Sequence, residues 1–280
     1  MITGSFVQLW CICSALLLSG CKSDVTEPQE KDTLQQKGWT LVWADEFDYT
    51  GLPDQRKWGY DVGGHGWGNQ ELQYYRGGAL ANSRVENGML IIEARKEDFG
   101  GNHYTSARLV TTGKGDWTYG RFEVRAKLPS GRGTWPAIWM LPTVWSLGGG
   151  GWPDNGEIDI MEHVGYDPGW IHGSVHTKKY YWQIGTQKTA KTYIADAERA
   201  FHTYAMEWTT DSIKVFVDSL QFFGFRKESD SWEVWPFMKS FHFVLNIAVG
   251  GLWGGQQGVN DAIFPQRMEV DYVRVYKQAE

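Results

Sequence analysis

The run Arg121-Phe122-Glu123-Val124-Arg125-Ala126-Lys127-Leu128 alternates charged and apolar side chains without a break. That period of two fits a strand with one face in a core and the other turned away, because successive side chains on a strand point to opposite faces. The charged row reads as a solvated face. Met89–Arg95, Phe241–Val249 and Met268–Tyr276 read as further strands, and Ser212–Phe225 as a hairpin turning at Asp218-Ser219. Trp39–Phe47 opens the series as an edge-type strand.

Thirty-four glycines against 9 prolines, with 16 Trp, 13 Tyr and 13 Phe, suit many short strands joined by tight turns. Neither a repeat nor a shift in composition follows Trp39, so residues 38–280 are expected to form one domain. Its expected fold is all-β, an antiparallel β-sandwich of jelly-roll type, curved so that one concave face forms an open cleft. A net charge of −6 gives no basic footprint for nucleic acid, and a neutral polymer is the easier partner. A monomer is expected.

Residues 1–20 carry the apolar stretch Cys11–Leu18, too short to span a bilayer as a permanent helix, and read as a signal peptide. Leu18-Ser19-Gly20-Cys21 resembles the bacterial lipobox. That resemblance implies cleavage before Cys21 and acylation of its thiol, although no Lys or Arg precedes the apolar stretch. An ordinary secretory signal is the alternative. Residues 21–37, polar and charged, read as a tether. The expected location is the cell envelope, lipid-anchored at the outer membrane or surface, or else secreted. All three cysteines (Cys11, Cys13, Cys21) lie in this segment, so the domain must stand on its core without disulfides or thiolate-bound zinc.

Chemistry concentrates in Gly156-Glu157-Ile158-Asp159-Ile160-Met161-Glu162-His163, an apolar strand-forming run into which three acids are set. Glu157 and Asp159 share a face by parity. Glu162, five positions after Glu157, would fall on the other face unless a β-bulge near Ile160 and Met161 inserts one extra residue. With the bulge, three acids crowd one face and their ionisations are coupled. Two such carboxyls supply the nucleophile and the proton donor of glycoside hydrolysis. Taken alone, the acids would also suit a charged edge strand. The flanking Gly151-Trp152-Pro153-Asp154-Asn155-Gly156 and Val164-Gly165-Tyr166 mix turn residues with aromatics, as site-lining loops do.

From about Trp39 to Tyr276 the sequence resembles glycoside hydrolase family 16, in its laminarinase-like branch, whose signature is Glu-x-Asp-x-x-Glu. The resemblance implies a retaining endo-β-1,3-glucanase with Glu157 as nucleophile, Glu162 as general acid and base, and Asp159 as the assisting acid. Mixed-linkage β-1,3-1,4-glucan or an algal galactan are alternative substrates, and a non-catalytic surface glycan-binding protein is the reading from another class. The resemblance implies no required cofactor.

It also assigns substrate contacts. Asn69 follows the glycine-rich loop Gly63–Gly68, and Arg108 lies between two strands. Trp135 and Trp139, four residues apart, share a strand face and match a sugar-stacking pair. His176 stands beside the acids if Ile171–Thr177 pairs with the acidic strand, where it can hold Asp159. Apart from the resemblance, Asn246 is a candidate to face the cleft from its strand, and Trp253, in what reads as a flexible rim loop, Gly250–Gly255, is a candidate to add a subsite. Some family members bind calcium on the sheet face away from the cleft. Glu46, the Gly88 carbonyl and Asp271 correspond by position, and oxygen-only ligation suits calcium. Isolated surface acids are the competing reading there.

Overall fold

The computed structural model describes residues 1, 2, 4 and 38–279. The signal peptide, Cys21 and the tether lie outside the described residues, apart from Met1, Ile2 and Gly4. The chain from residue 38 onward is a two-sheet sandwich, with only two short 3-10 turns, Trp182–Ile184 and Asp261–Ile263, as helical segments among the described residues.

In chain order the first strands are β1 (Trp39–Asp45), β2 (Gly59–Tyr60), β3 (Gln73–Tyr75), β4 (Ser83–Glu86), β5 (Met89–Phe99), β6 (Asn102–Ser106) and β7 (Arg108–Val110). The middle of the chain supplies β8 (Gly120–Lys127), β9 (Thr134–Pro142), β10 (Glu157–Glu162), β11 (Trp170–His176) and β12 (Lys188–Tyr193). The last are β13 (His202–Trp208), β14 (Ser212–Val217), β15 (Leu220–Arg226), β16 (Phe241–Val249) and β17 (Gln266–Gln278). The larger sheet runs β15-β14-β13-β8-β17-β5-β6-β3, with β1 added to β17 and β4 to β5. The smaller runs β12-β11-β10-β9-β16-β7-β2.

Every pairing is antiparallel except β3 with β6, which is parallel. The sandwich is thus not purely antiparallel. A parallel neighbour needs a long crossover, and the chain between Tyr75 and Asn102, which holds β4 and β5, provides one.

Alternation on β8 places Phe122, Val124, Ala126 and Leu128 in the core between the sheets. They meet rings from both layers: Phe122 packs against Trp117, Trp208 and Phe243 at centroid distances of 5.8–6.1 Å. The opposite row is not a free solvated face. Arg121 pairs with Glu123 and Glu207, Arg125 with Asp271, and Lys127 with Glu269. Glu123 is 2% exposed. Sequence parity fixes which residues share a face, whereas strands adding on both sides of β8 convert that face into a lattice of cross-strand ion pairs.

β10 carries the expected bulge. Against β9, Asp159 faces Trp139 and Met161 faces the adjacent Ile138, so two steps on β10 match one on its partner. Against β11, Asp159 faces Ser174 and Glu162 faces His172, three steps against two. The extra residue leaves both Ile160 and Met161 fully buried in the core and returns Glu162 to the face of Glu157 and Asp159.

Candidate active site

The outer face of the smaller sheet holds a cleft of about 770 Å³ that crosses the strands from Thr189 on β12 to Arg108 on β7. The strand period decides its lining. Trp135, Ala137, Trp139 and Leu141 reach it from β9, the three acids from β10, and His172, Ser174 and His176 from β11. Register sets the acids opposite that β11 row: Glu157 pairs with His176, Asp159 with Ser174 and Glu162 with His172.

Each outer acid accepts a hydrogen bond from an indole. Trp152 Nε1 donates to Glu157 Oε2 at 3.0 Å, and Trp135 Nε1 donates to Glu162 Oε1 at 3.0 Å. His176 Nε2 lies 3.3 Å from Asp159 Oδ2 and 3.8 Å from Glu157 Oε1. Burial pushes all three carboxyls up to about 8. Repulsion from Asp159 adds to the rise of Glu157 and Glu162, and the His176 imidazole opposes it. Three such groups titrate as a coupled set, so at neutral pH the cluster keeps protons that free carboxyls would release.

Toward β7, side chains form one hydrogen-bonded chain. Trp139 Nε1 donates to Asn246 Oδ1 at 2.7 Å, and Asn246 Nδ2 donates to the Tyr75 hydroxyl at 3.0 Å. The Tyr75 hydroxyl donates to Glu71 Oε2 at 3.2 Å, and Asn69 Nδ2 to Glu71 Oε1 at 3.3 Å. Burial raises the Glu71 carboxyl above its usual range. The Arg108 guanidinium is sandwiched between the rings of Trp67 and Trp139, 4.7 Å from each, and pairs with Asp61 at 2.9 Å. Such cation–π stacking orients the rings as well as the cation.

Asn69, Arg108, Trp135, Trp139, His176, Asn246 and Trp253 all line the cleft together with the acids. Trp253 stands edge-on to Trp135 and His172, at 5.5 and 4.9 Å. Its loop is pinned: Leu252 N donates to the Asn69 carbonyl at 2.7 Å and Gly250 N to that of Gly133 at 2.8 Å. The reading of a flexible rim does not fit those bonds. Sequence reasoning passed over Trp152, Trp67 and Tyr75 as site residues. Trp152 was visible only as an aromatic in a turn-rich flank.

The calcium residues do not fit that role. Glu46 spends both oxygens on Arg274, at 2.7 and 2.9 Å, and Asp271 accepts from Arg125 at 2.5 Å. A carboxylate neutralised by a guanidinium offers little to a hard cation. Gly88 lies in the β4–β5 turn with φ +75°.

The family model for glycosyl hydrolases family 16 matches residues 70–274, the span that holds the acids, the β11 row and most of the cleft. The chain belongs to glycoside hydrolase family 16. Within that family it is 59% identical to a beta-glucanase of Rhodothermus marinus over 86% of each chain. The solved laminarinase of the same organism superposes with a TM-score of 0.85, covering 86% of this chain and 98% of that one. A non-specific endo-beta-1,3(4)-glucanase of family 16, 49% identical, superposes with a TM-score of 0.82 over 87% of this chain and 93% of its own. The matched span runs from just before β3 into β17.

Proposed function

We infer that the chain is a retaining endo-β-1,3-glucanase acting on laminarin-like glucans. The observation that carries this reading is the bulge on β10, which brings Glu157 and Glu162 to one cleft face between indole donors. Glu157 attacks the anomeric carbon while Glu162 protonates the departing glycosidic oxygen. A water molecule, deprotonated by Glu162, then opens the glycosyl-enzyme ester and restores both groups. Asp159 and His176 hold the charge and orientation of Glu157. A cleft open across the strands admits chain interiors, which supports endo cleavage. Trp135 and Trp139 offer apolar ring faces, and the Asn246–Glu71–Asn69 chain offers hydroxyl partners.

Mixed-linkage glucan is the second substrate to consider, because the 49%-identical relative is described as acting on both linkages. A lipid on Cys21 would place the enzyme on the cell envelope; metabolic labelling with a clickable fatty acid, compared with Cys21→Ala, tests it.

Reducing-sugar release and product size on laminarin, lichenan, agarose and carrageenan, beside a Glu157→Ser variant, test the function. Short oligosaccharides from laminarin that vanish in the variant are expected. A wild-type protein that binds glucan and releases nothing would overturn the reading in favour of a binding protein.

A further inference from the structure

Glu157, Asp159 and His176 are more than a nucleophile and its neighbours. Each offers one ligand atom, and the three atoms lie within 4.8 Å of one another, the one such cluster of three among the described residues. Zinc takes oxygen and nitrogen ligands at about 2.0–2.2 Å, so ligand atoms around a tetrahedral ion stand about 3.3–3.6 Å apart. His176 Nε2 lies 3.3 Å from Asp159 Oδ2 and 3.8 Å from Glu157 Oε1. Closing the set on an ion thus asks for movements of a few tenths of an ångström on these two edges.

Two features distinguish this cluster from a crowd of acids. Asp159 is 2% exposed, and no aligned hydrogen bond is directed at its Oδ2 despite the nearby imidazole. On Glu157 the Trp152 indole holds Oε2 and leaves Oε1 toward His176. An outer hydrogen bond that fixes a carboxylate while freeing its second oxygen is what a metal ligand uses. All three residues line the cleft, from which water would complete the shell.

We propose that Glu157, Asp159 and His176 form an inhibitory site for Zn2+, which occupies the nucleophile in competition with glucan. The proposal rests on the glucanase reading for its consequence, since a nucleophile bound to zinc cannot attack a sugar. Binding itself rests on the ligand geometry. Because bound carboxylates must be deprotonated, zinc competes with protons and its affinity rises with pH.

The test is calorimetric titration of Zn2+ into chelator-treated protein at pH 7.5, repeated at pH 6. One ion per chain is expected, bound at least tenfold more weakly at pH 6 and at least tenfold more weakly in His176→Ala. Asp159→Asn serves as the second variant if His176→Ala fails to fold. His202 also faces two acids, Asp196 and Asp218, on the surface, so His202→Ala is the control and should bind as the wild type does. Substituting Co2+ should give the visible absorption of a four-coordinate ion, lost on adding a laminarin oligosaccharide. In turnover, zinc should raise KM for glucan without lowering kcat.

Absence of a stoichiometric site would overturn the proposal, as would binding indifferent to His176→Ala and Asp159→Asn. Heat and colour are read without turnover. Failure of the zinc site therefore leaves the glucanase assignment standing, and a protein inactive on every glucan leaves the binding result interpretable.

Discussion

At the scale of single residues, the three acids make the molecule less stable in order to keep protons. Each is raised to about 8 in the fold, against usual values of 4.5 for Glu and 3.8 for Asp. Between about pH 4 and 8 the unfolded chain therefore binds fewer protons than the folded one, and this contribution to stability falls as pH rises through that window. Asp159→Asn removes one member of the set. A gain of roughly 2 kcal/mol at pH 8 is expected, discounted for coupling, and about 2–4 °C in Tm per kcal/mol for a domain of this size. The gain should shrink toward zero at pH 4, as thermal scans at the two values would reveal. Activity depends on the same protons. In the proposed mechanism Glu162 must hold one to protonate the leaving oxygen, so kcat should fall as pH climbs past about 8, and a rate profile that stays flat to pH 10 would contradict its proposed role as the acid.

At the scale of elements, one surplus residue in β10 decides whether the site exists. Deleting Ile160 removes the bulge and turns Glu162 toward the core. A loss of about 10²–10⁴ in kcat is expected from the missing acid and base, together with a lower Tm from a carboxyl forced among apolar neighbours. Activity assays and thermal scans on the purified deletion variant check both. The need for this bulge was legible in the sequence because strand parity is strict and Glu162 stood on the wrong side of it. Pairing between β10 and β11 was legible from the short loop that joins them. The Trp152 bond to Glu157 was not, because a loop's path obeys no period. Nor was the Tyr75–Asn246 bond, whose partners are 171 residues apart and meet only once β3 and β16 have docked. On β8 the alternation was read correctly and the polar side of it was not, because most of its ion-pair partners (Glu207, Asp271 and Glu269) come from neighbouring strands that parity cannot name.

At the scale of the whole molecule, a single core joins both sheets, and residues 38–280 contain no cysteine. A protein trimmed to 38–280 should hydrolyse glucan with the kcat of the full chain. Its Tm should also be the same with and without a thiol reductant, since no disulfide holds the sandwich together. Reading kcat and Tm side by side checks both; a trimmed protein that melts several degrees lower would show that the preceding residues support the fold.

The indole N–H groups of Trp135 and Trp152 each end on a different acid, Glu162 and Glu157. A change in charge on either carboxylate alters most strongly the electron density around the indole proton it holds, and coupling among the acids carries a smaller change to the other. The enzyme thus carries two resonances, each weighted toward one acid. With indole nitrogens labelled, a magnetic resonance titration with pH could follow the proposed proton donor and the proposed nucleophile side by side, without adding a probe to the cleft.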